Sequence, residues 1–299
     1  MDASDLPDVG DLVVGQYKRL SRLISRSLSA CRFASLWMES GMSDRARMLG
    51  ASGMGGVSFM VAPTGGALSM PPTAFLVAVR RTLGIPEPLA AGVGVCPVCE
   101  LGLEAGEHMV DHIATCGAGD TWHSGHYRLL ECVRMIAKEA GLRGVVAEMI
   151  GLTEKALKRP GDVTVLGYSG YTRHLVIDVV IKHEFCSSNI VSASRGADDL
   201  LRAAEKSKMG QSRLAVERRG HRFIPFAVSS LGRMGGHAVA LLDEWADYAA
   251  KTRGARQHDW RRSVPEVRRQ LLTKWLQMVS VCVHASVAGI VCHGLAPLD

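Results

Sequence analysis

The spacing of hydrophobic positions changes period several times along this chain, and the changes outline alternating helices and strands. Leu20, Leu23, Ile24, Leu28 and Cys31 recur at helical spacing, so residues 12–50 read as helical. The stretch 51–72 is rich in Gly, Ser and Pro and reads as loop with short strand pieces. Pro71-Pro72-Thr73 opens a helix that runs to Leu83 with Phe75, Leu76, Val79 and Leu83 on one face, and Gly84-Ile85-Pro86 stops it. From His126 to Ala140 the apolar face is Leu129, Leu130, Val133 and Ile136, closed by Gly141. Strand-like segments follow at 144–149, 162–168 and 174–182. Next come a helix from Gly196 to Met209, extending towards Arg218, a strand over 222–229 and a helix from Gly236 to Ala250. One or two apolar helices follow an arginine-rich stretch that holds Arg253, Arg256, Arg261, Arg262, Arg268 and Arg269. The order helix, three strands, helix, strand, helix is that of an α/β core.

Composition narrows the class. The 299 residues are 47% hydrophobic and 21% charged, which fits a folded chain with a sizeable core and excludes a disordered one. A net charge of +6 permits a polyanionic partner without demanding one. The first residues are acidic, with Asp2, Asp5, Asp8 and Asp11, where a secretory signal would be basic. The longest apolar run, Val279 to Cys292, is short for a membrane span and is interrupted by His284 and Ser286. A soluble intracellular or nuclear protein with no membrane partner is expected. Eight cysteines in a reducing compartment do not form a disulfide framework, and Cys31, Cys132, Cys186, Cys282 and Cys292 read as core residues or inert thiols.

The remaining three cysteines sit close together. Cys96-x2-Cys99-x12-His112-x3-Cys116 supplies three thiolates and an imidazole, a common tetrahedral set for structural Zn²⁺. The two-residue gap lets both cysteines of a tight turn face one ion, and the His-x3-Cys spacing puts two ligands on one side of a helical turn. His108 competes with His112 for the third position. Four protein ligands leave no open position, so the expected role is structural.

A second group carries candidate chemistry. Arg159-Pro160-Gly161-Asp162 reads as a turn entering a strand, and Asp178 lies inside the apolar strand Leu175-Val-Ile-Asp-Val-Val-Ile181. A carboxylate so placed is costly to bury unless it is paired or metal-bound. Adjacent antiparallel strands would bring Asp162 and Asp178 together as oxygen ligands for Mg²⁺ or Mn²⁺, which activates water and neutralises phosphodiester charge. Lys182 shares strand parity with Asp178, and Lys206 and Lys208 follow Glu205 on the next helix; any of the three could orient the nucleophile. Glu148 is a further candidate acid, and His126, Arg128 and Arg159 are candidate phosphate contacts.

In this order, the two groups resemble the C-terminal part of non-LTR retrotransposon polyproteins that carry a restriction-enzyme-like endonuclease. Supporting segments are Gly125-His-Tyr-Arg128, Arg159-Pro-Gly-Asp162, Ile177-Asp-Val-Val180, Ala204-Glu-Lys-Ser-Lys208 and Phe223-Ile-Pro-Phe226. The resemblance implies a mixed-sheet restriction-endonuclease-like α/β fold, a zinc knuckle, DNA (with RNA as a second polyanion) as partner, and a polymerase domain missing from this chain. It carries the family's acids onto Asp162 and Asp178 and its lysine onto Lys206 or Lys208. The sequence departs from the pattern where Gly161 stands between Pro160 and Asp162 and where Val180 stands in place of a lysine.

The expected organisation is a helical segment over 1–94, the knuckle over 95–118, the nuclease-like domain over 120–250 and a basic helical extension over 251–299. The expected activity is Mg²⁺-dependent nicking of DNA. Two rival readings are a catalytically inactive, zinc-stapled nucleic-acid-binding module and a structural domain with no nucleic-acid role.

Overall fold

The structure is a computed structural model that describes residues 17–61, 69–102, 107–118, 121–154, 159–170, 172–196, 198–256 and 263–295. Arg261, Arg262 and the side chains of His108, Arg253 and Arg256, which bear on the expectations above, lie outside what it describes. The chain divides into two compact units, Met1–Gly41 and Met42–Asp299. In the first, α1 spans Tyr17–Glu39. Knuckle, sheet and C-terminal helix all belong to the second, so these segments share one compact unit.

That unit opens with α2 (Met42–Ala51), a 3-10 turn at Ser58–Val61 and α3 (Pro72–Leu83). Pro72 starts α3 because its missing N–H is one the first helical turn does not need, and Gly84 ends it in the left-handed conformation at φ 69°. Helix α4 (Glu107–Thr115) carries the knuckle ligand His112, and α5 (Thr121–Glu139) begins five residues before the expected start.

One four-stranded mixed sheet is formed by β1 (Val145–Ala147), β2 (Val163–Val165), β3 (Leu175–Lys182) and β4 (Arg222–Ser229), in the order β1-β2-β3-β4. The first three form an antiparallel meander, and β4 returns parallel to β3. The crossover contains α6 (Ile190–Arg195), which the hydrophobic pattern does not announce, then α7 (Asp199–Lys208), a π-helical turn at Met209–Arg213 and α8 (Leu214–Glu217). Strand β4 lies at the sheet edge, which accommodates Pro225 and its absent N–H.

Strand alternation divides the core. Val163, Ile177, Val179, Ile224 and Phe226 pack with Leu129, Ile136, Trp245 and Trp275 from α5, α9 (Gly236–Arg256) and α10 (Val264–Gly294). On the opposite face, Val176 and Phe223 meet Leu152 and Val216, while Ala227 meets Leu201 and Ala204 of α7.

Helix α10 is a single 31-residue helix. Ser263 caps it by accepting the Glu266 N–H. Between Met278 and Val291 its buried positions run almost all round the helix, as expected of one enclosed by other elements. It is long and apolar enough to cross a membrane, yet 61% of its most apolar window is buried within the protein, as in a core helix. Glu139 at the end of α5 holds it by accepting from Lys274 Nζ at 2.7 Å and Trp275 Nε1 at 3.1 Å.

Candidate metal centre and acid pair

Cys96, Cys99, His112 and Cys116 converge, with all their potential ligand atoms within 4.8 Å of one another. The first two come from a tight turn closed by Cys96 N–H to Leu101 C=O at 2.8 Å and Glu100 N–H to Cys96 C=O at 2.9 Å. Helix α4 delivers His112, Cys116 follows in the turn that ends it, and Cys99 Sγ lies 3.2 Å from His112 Nε2. A backbone N–H at Leu101 and the His112 contact draw the Cys99 thiol down to about 7, towards the thiolate a metal needs, while burial pushes Cys116 up to about 11. Three sulfurs and one imidazole in this space suit a tetrahedral ion such as Zn²⁺, with metal–sulfur bonds of about 2.3 Å.

The knuckle helix is tied into the core beside its ligands. Asp111, next to His112, accepts from Arg47 Nη2 and Arg81 Nε, each at 2.9 Å. Arg81 also donates to Ser230 Oγ at 2.9 Å, and Ser230 donates to Glu184 Oε2 at 2.6 Å. Both guanidinium groups lie against the Phe185 ring. A buried aspartate shared by two arginines is acceptable in low dielectric because every member is paired. The sequence shows these residues only as scattered charges.

The two candidate acids meet at one end of the β2–β3 hairpin. Register pairs Val163 with Ile177, yet the Asp162 N–H also bonds the Ile177 carbonyl at 2.8 Å. Two consecutive residues therefore face one, which is a β-bulge. Gly161 accounts for the approach: a Cβ there would lie 2.7 Å from Val176 Cγ1 and 2.8 Å from the Ile177 carbonyl oxygen. The inserted glycine is the residue that lets the turn lie on β3.

Beyond the start of β2, the Val179 main chain has lost its strand neighbour. Asp162 Oδ2 accepts the Val179 N–H at 2.6 Å, and His126 Nε2 contacts the Val179 carbonyl at 3.1 Å. The two side chains also meet each other at 3.3 Å. Burial pushes the Asp162 carboxyl up, but His126 and the Val179 N–H outweigh it and hold the group below its ordinary value. His126 is raised, chiefly by its hydrogen bond to Asp162.

Asp178 is buried in the middle of β3, and Lys208 Nζ donates to its Oδ1 at 2.9 Å. Burial raises this carboxyl; Lys208 pulls it back, and the neighbouring Asp162 pushes it up again. The hairpin thus carries two interacting carboxylates with oppositely shifted acidities.

The candidate cations separate. Lys208 continues the buried stripe of Leu201, Ala204 and Glu205 on α7, whereas exposed Lys206 lies about 200° away round the helix. Lys182 keeps the parity of Asp178 but stands four residues along β3, about 13 Å away. Glu148, in the left-handed region at φ 46°, pairs with exposed Arg159 at 2.6 Å, and its N–H bonds the Asp162 carbonyl at 2.8 Å. Arg128 lines a different depression, with Cys132 and Cys282. Among the described residues, the knuckle is the one group of three or more Cys, His, Asp or Glu that could hold a metal; the acid pair gathers no third such ligand. Comparisons with family models, curated proteins and solved structures find no match to this chain.

Proposed function

We propose that this chain is a divalent-metal-dependent DNA endonuclease of restriction-like fold, related to the nuclease region of non-LTR retroelements. The observation that carries the reading is the approach of Lys208, from the end of α7, to Asp178 beside Asp162 on the β2–β3 hairpin. The helix–β-meander–helix–strand order, with β4 parallel to β3, agrees with that fold. Two carboxylates are enough protein ligands for Mg²⁺, which keeps several waters and takes further oxygens from substrate phosphate. When bound, the ion supplies a polarised phosphoryl oxygen and a more acidic water.

The chain's own residues do the rest. His126 and the Val179 N–H keep Asp162 ionised and fixed. Asp178, its carboxyl raised by burial and drawn back by Lys208, would be held ionised by the cation it ligates. Lys208, held beside Asp178, would offer a positive charge to a phosphate bound there as negative charge develops on its oxygens. On this reading DNA is the partner, with single-stranded nucleic acid as a related polyanion, and a polymerase carried on another domain would extend the nicked end. The knuckle and the arginines from 253 to 269 would supply phosphate contacts. On this reading the protein acts where its DNA lies, in a nucleus or elsewhere inside the cell.

The test is nicking of supercoiled plasmid in Mg²⁺ by the intact chain and by Asp178→Ala. Nicking by the parent and its loss in the variant, with DNA binding kept, is the expected result; equal rates would overturn the assignment of Asp178. A second reading, binding without cleavage, draws on the two acids being ion-paired already, to Lys208 and His126. It predicts no nicking in any divalent metal, together with salt-dependent DNA affinity that weakens when the 253–269 arginines are removed.

A further inference from the structure

Two imidazole rings stack where the chain enters the parallel strands β3 and β4. His174 and His221 lie with ring centroids 4.6 Å apart and ring planes 16° from parallel. The ladder reaches back to them, since the Arg222 N–H bonds the His174 carbonyl at 2.9 Å. The backbone also fixes each ring. His174 Nδ1 accepts the Gly167 N–H at 3.1 Å, and His221 Nδ1 accepts the His174 N–H at 3.3 Å.

These bonds determine where the protons are. An imidazole nitrogen that accepts a hydrogen bond carries no proton, so both rings are neutral and hold their one proton on Nε2. Burial keeps His221 below its ordinary value, and His174 and Arg219 add to that. The same bonds make the pair a poor metal site, because a ligating histidine donates from its other nitrogen, and here that nitrogen accepts. What the pair can offer a ligand is two N–H donors. Among the described residues neither Nε2 has an acceptor.

The surroundings are cationic. Arg173 precedes His174, Arg218 and Arg219 follow α8 just before His221, and all three arginines are exposed. Two acids from this part of the chain are already taken, Glu217 by Arg213 at 2.7 Å and Glu244 by Arg222 at 2.8 Å. Among the described residues, Arg173, Arg218 and Arg219 have no ion-pair partner.

Neutral N–H donors among unpaired guanidinium groups select an anion with several acceptor oxygens, which is the chemistry of phosphate. One exposed ion pair contributes little. Phosphates joined in a polymer add their contacts and release counterions, so the arrangement suits a chain of phosphodiesters better than a free ion.

We propose that Arg173, His174, Arg218, Arg219 and His221 form a docking site for the phosphate backbone of a nucleic acid. The site is separate from the acid pair. His174 keeps the strand parity of Asp178 but stands four residues away, about 13 Å. Val176 and Phe223, packed with Leu152 and Val216, lie between them in the sheet. That span matches about four nucleotides along one strand of a duplex. The site concerns binding alone and does not depend on cleavage by the acids.

The test is binding of a short labelled DNA duplex to the full chain in Ca²⁺, read by fluorescence anisotropy from about 50 to 200 mM salt. Replacing Arg173, Arg218 and Arg219 together by alanine should flatten the slope of log affinity against log salt by about 2 to 3. Arg202→Ala removes an exposed arginine of α7 that already faces Asp198 and Asp199, and should leave the slope nearly unchanged. Imidazole ¹⁵N spectra should show the Nε2 resonances of His174 and His221 moving when the duplex is added. The proposal is overturned if the chain does not bind the duplex, if those resonances stay fixed, or if the triple variant keeps the parent's slope. It is overturned as well if Arg202→Ala flattens the slope as much as each of the three arginines does, since net charge would then suffice. Inorganic phosphate at matched ionic strength should not displace the duplex; displacement would make this a free-anion site and reject the polymer. Should the triple variant not fold, the single replacements decide, each expected to flatten the slope by about 0.9. A chain that binds in this way yet never nicks plasmid in Mg²⁺ refutes the nuclease reading and leaves the docking site standing.

Discussion

Lys208 Nζ reaches Asp178 Oδ1 at 2.9 Å, and it does so from the last turn of α7, where the helix widens into a π-helical turn. Such widened turns recur at functional sites because they re-aim side chains. Lys208→Ala should therefore reduce plasmid nicking in Mg²⁺ by about a hundredfold or more, the size of effect seen when one donor to transition-state charge is removed. Lys206→Ala should leave the rate within about twofold, since an exposed lysine on the opposite face cannot share that role. Equal effects of the two substitutions would reject the assignment of Lys208.

Gly161 is the position where the hairpin tolerates least. Adding one methyl group drives a Cβ to 2.8 Å from the Ile177 carbonyl oxygen, which is main chain and cannot swing aside. Gly161→Ala should destabilise the fold by about 1–3 kcal/mol, as overpacking does. Because the displaced residue adjoins Asp178, nicking should fall further than stability alone explains. Urea denaturation together with a nicking assay measures both, and an unchanged midpoint would show that the bulge relaxes freely.

Zinc retention and core stability should separate. Cys99→Ser is expected to lose about one zinc per chain by elemental analysis, because structural sites need the complete ligand set. Asp111→Asn leaves the four ligands untouched but removes the charge that Arg47 and Arg81 share. Breaking a buried pair typically costs about 3–5 kcal/mol, and a loss of that order in denaturant titration is expected with zinc still bound. A change under about 0.5 kcal/mol would mean that the arginines find other partners.

Acid should destabilise the fold before the carboxylates titrate. His284 is buried, stacked on Phe59 at 3.9 Å and bonded to the Gly56 carbonyl, and burial lowers it to about 4. His183 is lowered to about 4 as well. A histidine kept neutral in the fold favours the unfolded chain once the unfolded imidazole binds a proton, so stability declines as pH falls from about 6.5 to about 4. For His284 alone the loss across that window is roughly 3 kcal/mol. Raised His126 acts in the opposite sense, its contribution being fully present below the unfolded imidazole's value and lost as pH rises through its own. Lowered Asp162 contributes across this window and is lost only further down, as pH falls through the carboxylate range. His284→Gln should flatten the decline in melting temperature between pH 6.5 and 4, and an unaltered slope would assign the decline elsewhere.

The parts legible from sequence are those governed by local pattern. The strands over 174–182 and 222–229 and the helices opening at Pro72 and closing at Gly141 follow from periodicity, proline and glycine. Resemblance favours Lys206 and strand parity favours Lys182, whereas the structure sets Lys208 beside Asp178, seven residues after Leu201 on the buried stripe of α7. What pattern cannot reveal is pairing at long range. Arg47, Arg81 and Asp111 are separated by 34 and 30 residues and look like solvated charges until the fold joins them. Likewise, the arginine stretch before α10 draws attention to charge, while the helix itself is core. Its histidine and serines read as interruptions of an apolar run, although His284 and Ser280 are buried and hydrogen-bonded to residues 56 and 59.

That placement of α10 orders events in time as well as in space. Helices α3, α5 and α9 each pack partly on residues 264–294, so that share of their apolar surface stays uncovered while the chain is being synthesised, even where α5 and α9 have already met the sheet. Until residues 264–294 have emerged, those uncovered helix faces invite chaperone binding or aggregation.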